Sequence, residues 1–185
     1  MRQISDTANY NIIQALDISS PEFNQELSLL YDSNKDKIQS IALYDMEGEL
    51  LVAEPVTLQK EGVEVSRQSW FENAKAKIEN MHFSTPHMQD LFQDDAKRYH
   101  WVISLSRAVD VIDGDSPENG ILLVDMKYSF IEEMMDRIND RTRGRYYYLC
   151  DREGKLIYHP YANEISNGLF QENSVLASSS EDGIY

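Results

Sequence analysis

The chain has 185 residues, 42% of them hydrophobic, and a formal net charge of −15. This length and composition allow one large hydrophobic core, or one core and part of a second. The negative charge would repel a phosphate backbone and an anionic lipid surface, which excludes nucleic acid and an anionic membrane face as expected partners.

The start of the chain has the apolar spacing of a helix without an N-cap. Ile4, Ala8, Ile12 and Leu16 recur at near-helical intervals directly after Met1. No run of about 18 apolar residues and no signal-peptide pattern occurs. We therefore expect the sequence to be a segment cut at both ends from a longer protein.

A second helix is predicted from Ser20 onward. Ser20 has the residue type of an N-cap, and Pro21 suits the first helical position. One apolar stripe follows: Phe23, Leu27, Leu30 and Tyr31.

Two β-hairpins are predicted at an offset of 106 positions. In the first, IQSIALYD and ELLVAE flank a turn from Asp45 to Gly48, and in the second, RYYYLC and KLIYH flank a turn from Asp151 to Gly154. Cys150 is expected to be a buried strand residue of the second hairpin, and because it is the single cysteine, an internal disulfide is excluded. The repeat favours two tandem units, the second truncated. The alternative is a coincidence of a common turn type.

The segment between the hairpins predicts further strands and helices. A short helix is expected in SRQSWFENAKAKIEN, and strands are expected in HFSTPHMQ, YHWVISLSRAV and NGILLVDMK. YSFIEEMMDRIND predicts another helix, with Ser129 and Glu132 spaced as a capping box. Its apolar face comprises Ile131, Met134, Met135 and Ile138. Hairpin-linked strands with helices to one side predict an α+β fold with a five-stranded antiparallel sheet, the plan of PAS-like sensor modules.

Five stretches resemble, in family order, the extracellular double Cache (tandem PAS-like) domains of YesM-like sensor histidine kinases. They are QSWFENA, FSTPHMQDLF, YHWVISLSRAV, GILLVDMKYSFIEEMMDRI and YYYLCDREGKLIYHP. The resemblance implies N-terminal helices at 1–37, a membrane-distal Cache module at 38–140 and a partial membrane-proximal module at 141–185. It also implies flanking transmembrane helices, a HAMP linker and a kinase core outside this sequence. A partial module exposes sheet edges, so we expect residues 145–185 to pack on the distal module or on a neighbouring chain.

The function implied by this resemblance is that of a non-enzymatic, extracellular sensor at the cell membrane. A small molecule, such as a sugar, an amino acid or a carboxylate, would bind a homodimer and the signal would pass to the kinase. The alternatives are a chemoreceptor sensor domain and a cytosolic PAS-like module that dimerises without a ligand. No cofactor or metal is expected, because phosphate-loop and hydrolase motifs are missing and the histidines lack ligand spacing. The histidines are His82, His87, His100 and His159.

Trp70 lies where amino-acid-binding Cache domains have an Arg-x-Trp-Tyr motif whose arginine holds a ligand carboxylate. Here Gln68 stands at the arginine position and Phe71 at the tyrosine position. This departure puts recognition of an α-amino acid in doubt. Trp70 and Phe71 fit helix-to-sheet packing, and the functional alternative is that they form an aromatic wall of a ligand pocket.

Asp125 matches the family's aspartate that receives a ligand amine, and solvation at a strand end is the alternative. Arg107 could pair with it across neighbouring strands, either for structure or for a ligand. Tyr99 and Trp101 alternate with His100 and Val102, so one face of that strand could border a pocket. The predicted ligand-binding residues are therefore Trp70, Trp101, Arg107, Asp125, Gln68 and Tyr99.

Overall fold

The computed structural model describes residues 16–172, apart from 58, 79, 95–97, 114–115, 140–144 and 152–153. The described helices are α1 (Pro21–Asn34), α2 (Ser69–Ala76), α3 (Tyr128–Ile138) and α4 (Ala162–Ser166), with a 3-10 turn at Val65–Arg67. The strands are β1 (Leu16–Asp17), β2 (Ile38–Asp45), β3 (Leu50–Glu54), β4 (His82–Phe83), β5 (His87–Met88), β6 (Trp101–Asp113), β7 (Ser116–Lys127), β8 (Leu149–Cys150) and β9 (Leu156–Tyr158).

The two long strands β6 and β7 form the centre of a seven-stranded sheet. Its order is β1-β6-β7-β2-β3, and β4 and β5 pair with the other parts of β6. All pairings are antiparallel except that of β1 with β6. The predicted α+β fold with an antiparallel sheet and flanking helices is therefore confirmed. The sheet has seven strands where five were expected, because HFSTPHMQ forms two separate short strands and β1 adds a parallel pairing.

Alternation along β6 and β7 gives the sheet two chemically different faces. The face containing Asp125, which we call the Asp125 face, also carries Ser104, Ser106, Leu123 and Ile121. It packs against Phe71 and Ala74 of α2 and against Leu91 and Phe92 in one buried cluster. The opposite face, which we call the Ile103 face, is covered by α3 through Ile131 and Met135.

Helix α1 begins as predicted. The Ser20 Oγ accepts a hydrogen bond from the Phe23 N–H at 3.1 Å, and Pro21 is the first helical residue. The buried stripe is narrower than expected, since Leu27 is buried but Leu30 is 53% exposed. Only Leu16 of the predicted first helix lies within the described residues. It is strand instead of helix, because its backbone pairs with Val111 of β6.

The capping box predicted for α3 is wrong. The helix begins at Tyr128, and strand pairing continues up to Lys127, whose N–H donates to the Lys37 carbonyl at 2.8 Å. Ser129 is therefore already inside the helix, too late to cap it. The apolar face is also narrower than predicted. Ile131 and Met135 are buried, whereas 41% of Met134 and 51% of Ile138 are exposed.

Both predicted hairpins form, with the same turn chemistry. The Asp45 Oδ1 accepts hydrogen bonds from the N–H groups of Glu47 and Glu49, and Gly48 has a φ of +95°. In the second hairpin the Asp151 Oδ1 accepts from the Lys155 N–H at 2.7 Å, and Gly154 has a φ of +82°. The first hairpin belongs to the seven-stranded sheet, and the second forms a two-stranded sheet of its own. The assignment of 141–185 to a second module stays a prediction.

The second hairpin packs on the Ile103 face, as the expectation for residues 145–185 anticipated. Tyr158 is buried in one cluster with Ile103, Ile131 and Met135. Its hydroxyl donates to the Asp136 Oδ1 of α3 at 2.7 Å. The packing expected for this segment is thus confirmed at Tyr158, while residues 173–185 lie outside the described part.

Candidate functional site

A cavity of about 220 Å³ lies between the N-terminus of α2, the segment around β4 and β5, and the Asp125 face. Its lining is mostly polar: Gln68, Ser69, Trp70, Ser84, Thr85, His87, Gln89, Asp90, Leu91, Ser104 and Asp125. A concave site with a few convergent polar groups is the usual form of a small-molecule site.

The start of α2 positions the wall of this cavity. Gln68 has extended backbone at the N-cap, and within the described structure its side chain makes no capping hydrogen bond. Phe71 is 1% exposed and anchors the helix to the sheet. Trp70 is half-buried and packs against Tyr44 and Phe71 at ring-centroid distances of 5.6 and 5.7 Å. Trp70 therefore fits both interpretations, since it packs helix against sheet and lines the cavity.

Asp125 forms the buried floor of the cavity. Its side chain accepts hydrogen bonds from Ser104 Oγ at 2.5 Å and from Ser40 Oγ at 2.9 Å, each donated from a neighbouring strand. Burial raises the pKa of the Asp125 carboxyl, and the charge of Asp90 adds to the rise, while the two serine hydrogen bonds and His87 oppose it. Within the described structure, no lysine or arginine forms an ion pair with this carboxylate. Asp125 is thus a fixed, buried acceptor that faces the cavity.

His87 connects the cavity wall to this floor. Its Nδ1 lies 3.0 Å from the Thr85 carbonyl oxygen and 3.1 Å from Ser84 Oγ. Its Nε2 lies 3.3 Å from the Ser104 Oγ that donates to Asp125. From the sequence, His87 had no predicted role, because the histidines lack metal-ligand spacing, and Ser104 was not among the predicted site residues. Ser104 could have been identified from its polar side chain, because it lies on a strand face that otherwise contributes apolar residues to the buried core.

Arg107, Trp101 and Tyr99 lie away from the cavity. Arg107 pairs in register with Leu122, so it lies on the Ile103 face and the expected pairing with Asp125 is not formed between these two described residues. Trp101 is 57% exposed, Tyr99 is 80% exposed, and both line an open groove beside the start of α3. The structure therefore brings together three of the predicted residues: Gln68, Trp70 and Asp125.

Two further observations concern the described residues as a group. They contain no cluster of three or more histidine, cysteine, aspartate or glutamate side chains arranged to hold a metal ion. None of the described helices combines the length and the apolar character required to cross a membrane.

A family model described as a Cache domain matches residues 1–184. No curated protein is a significant match to the chain.

Several solved structures are similar to the chain. The ligand-binding domain of the Pseudomonas aeruginosa PAO1 amino acid chemoreceptor PctB, in complex with L-Gln, is 20% identical, with a TM-score of 0.54 over 79% of this chain and 55% of that one. The ligand-binding domain of the Pseudomonas fluorescens chemoreceptor CtaA, in complex with L-isoleucine, is 15% identical, with a TM-score of 0.55 over 87% and 63%. The extracellular domain of the candidate histidine kinase vpHK1S-Z8 is 15% identical, with a TM-score of 0.49 over 79% and 56%. The two chemoreceptor domains show a shared fold, and this chain spans 55% and 63% of their lengths.

Proposed function

This chain belongs to the Cache domain family, and from that premise we propose that it is the extracellular ligand-sensing part of a membrane receptor. A Cache sensor domain binds a signal molecule and is not itself catalytic. The observation that carries the proposal is the cavity of about 220 Å³, with the buried carboxylate of Asp125 as its floor.

The proposed ligand site is this cavity, with Gln68 and Trp70 at its wall and Asp125 at its floor. Ser104 acts as a positioning residue because its hydroxyl donates to the Asp125 carboxylate, and His87 acts through Ser104, whose Oγ lies 3.3 Å from its Nε2. The structural neighbours PctB and CtaA were solved in complex with L-Gln and L-isoleucine, which supports a small molecule of comparable size as the ligand. A buried carboxylate that faces a cavity is also better explained by ligand binding than by packing alone.

The proposed output is a histidine kinase on the same chain, as the resemblance to YesM-like sensors implies. In a homodimer, ligand binding in the distal module would favour one of two arrangements of the N-terminal helices, and this shift would pass through the membrane. A chemoreceptor is the second candidate, because PctB and CtaA, with TM-scores of 0.54 and 0.55, are both chemoreceptors. The sequence that flanks this chain in the full-length protein distinguishes the two outputs.

A thermal-shift screen of the purified protein tests the binding function. The compounds are sugars, amino acids, amines and small carboxylates, and we expect at least one class to raise the melting temperature. A ligand at a hundredfold excess over its dissociation constant stabilises the folded state by about 2.7 kcal/mol. A screen in which no class raises the melting temperature would contradict the proposal.

Two substitutions test whether the ligand that raises the melting temperature binds in the cavity. Asp125→Asn keeps the size of the side chain but removes its charge, so the ligand-induced shift should disappear. Asp110→Asn makes the same charge change at an exposed position six residues beyond Ser104 on β6, about 20 Å away along the strand, and should leave the shift intact. Equal shifts in both variants would place the ligand outside the cavity.

A further inference from the structure

A second concave site lies at the end of the sheet where helix α3 begins. This groove has a volume of about 610 Å³, and its lining includes Gln39 near the start of β2, Trp101 at the start of β6, Lys127 at the end of β7 and Glu132 of α3. No described residue lines both this groove and the cavity that contains Asp125. The groove, which we call the Trp101 groove, is therefore a separate site.

Two of the aromatic rings that line the Trp101 groove are open to solvent. Trp101 is 57% exposed and Tyr99 is 80% exposed, although a tryptophan is usually buried over most of its surface. Met88 of β5 pairs in register with Trp101 and is itself 44% exposed, so it extends the apolar surface beside the indole. Exposed apolar side chains grouped in this way mark a binding surface.

Hydrogen bonds to the rest of the protein hold the side of the groove next to α3. The Tyr128 hydroxyl donates to the Ile157 carbonyl at 3.1 Å. The Lys127 Nζ donates to the Lys35 carbonyl. These polar groups already have partners, so they shape the groove more than they offer hydrogen bonds to a ligand.

Three other polar side chains of the groove are available to a ligand. Within the part of the chain that the structure describes, the side chains of Gln39, Ser129 and Glu132 form no hydrogen bond. The amide and the hydroxyl can both donate and accept, and the carboxylate accepts. This set matches a ligand that carries several hydroxyl groups.

The charges favour a ligand without a net charge. The ammonium group of Lys127 and the carboxylate of Glu132 lie in the same groove and have opposite signs. The net charge of −15 on the whole chain repels an anion at longer range.

A sugar ring meets both requirements, because its C–H groups form an apolar face and its hydroxyls lie around the edge. We propose that the Trp101 groove binds a neutral oligosaccharide, with a sugar ring stacked on Trp101 or Tyr99 and its hydroxyls hydrogen-bonded to Gln39 and Glu132. The volume lies within the range of about 300–1,000 Å³ that is typical of ligand sites, which leaves room for more than one ring. This inference goes beyond the proposed function, because it adds a second ligand site.

Titration calorimetry of the purified protein tests the stacking contact. The probes are four neutral oligosaccharides: maltotetraose, cellotetraose, xylotetraose and N-acetylchitotetraose. We expect at least one to bind, and Trp101→Ala should weaken its binding by about tenfold or more, because the stacking face is lost. Tyr147→Ala removes an aromatic ring that is 60% exposed and is not among the groove residues, so it should bind as the wild type does.

A second pair of variants tests the hydrogen bonds. Glu132→Ala removes the acceptor in the groove and should weaken binding by about fivefold or more. Glu133→Ala removes the neighbouring carboxylate of α3, which pairs with Arg137 and is not among the groove residues, so the affinity should not change. Glu132 and Glu133 are both exposed, so we expect both variants to fold.

Several results would overturn the proposal. It is wrong if none of the four oligosaccharides binds the wild type, or if Trp101→Ala binds as tightly as the wild type. Tighter binding of trigalacturonate or choline than of the neutral oligosaccharides would also contradict it. A concentration-dependent dimer that Trp101→Ala disrupts, without saccharide binding, would identify the groove as a contact between two copies of the chain. None of these results bears on ligand binding in the cavity, so the proposed function is tested separately.

Discussion

Burial makes the ionised form of Asp125 energetically costly in the folded protein. Its pKa is raised above the ordinary value of 3.8, first by burial and then by Asp90, although Ser104, Ser40 and His87 act in the opposite direction. Because the folded-state pKa lies above the unfolded one, the contribution of this group to stability is complete below about pH 3.8 and is lost as the pH rises through the folded-state pKa.

The stability of the wild-type protein should therefore fall, relative to that of Asp125→Asn, as the pH rises above about 3.8, because asparagine has no carboxyl group to ionise. Urea unfolding of both proteins at several pH values measures this difference.

His87→Gln provides a second test of this pH dependence. His87 lowers the pKa of Asp125, so its removal should extend the loss of stability to higher pH. A stability difference between the wild type and Asp125→Asn that stays constant across this range would show that burial does not disfavour ionisation of Asp125.

At the scale of elements, the two hairpins were predictable because their signals are local. An aspartate that accepts from backbone N–H groups and a glycine at positive φ lie within a few residues of each other in both turns. Gly48 has an additional constraint, since a Cβ there would lie 2.9 Å from the Ser66 backbone nitrogen. The first turn therefore packs so closely against Ser66, in the segment that leads into α2, that a residue with a Cβ does not fit at Gly48 without a shift.

Gly48→Ala should destabilise the protein more than Gly62→Ala. Both glycines have positive φ, +95° and +77°, so both substitutions carry a backbone cost of about 1–2 kcal/mol. A Cβ at Gly62 meets no described atom within 4 Å, so that variant measures the backbone cost alone. Urea unfolding should give Gly48→Ala an additional loss of about 1 kcal/mol or more, from the contact with Ser66. Equal losses of stability in the two variants would mean that Ser66 moves away from the added Cβ without a cost in stability.

The composition of the cavity was less predictable, because it depends on pairing between distant strands. The sequence shows the alternation along β6, but it does not show that Ser104, and not Arg107, pairs in register with Asp125. Since neighbouring side chains on a strand point to opposite faces, an odd offset from Ser104 moves Arg107 away from the cavity. His87 depends on a two-residue strand, β5, too short to give a periodic signal. Gln68, Trp70 and Asp125 were identified through the family resemblance.

At the scale of the whole molecule, the two faces of the sheet have different neighbours. The Asp125 face holds the cavity, while the Ile103 face packs against α3 and the second hairpin. Tyr128 at the start of α3 adds to this contact, because its hydroxyl donates to the Ile157 carbonyl at 3.1 Å. Helix α3 follows β7 directly, so α3 connects the strand that carries Asp125 of the proposed ligand site to the second hairpin.

Tyr158→Ala should lower the stability of the whole protein by about 3 kcal/mol, because it removes a buried aromatic ring from the contact between the second hairpin and the Ile103 face. Tyr158→Phe keeps the ring and removes the hydroxyl that donates to the exposed residue Asp136, so it should cost about 1 kcal/mol or less. Tyr147→Ala removes a tyrosine that is 60% exposed and serves as the control, with little expected change.

Urea unfolding followed by far-ultraviolet circular dichroism should show a single transition that moves to lower urea in Tyr158→Ala. Two separate transitions, with only the weaker one moved by Tyr158→Ala, would show that the second hairpin folds independently and that α3 does not couple it to the sheet.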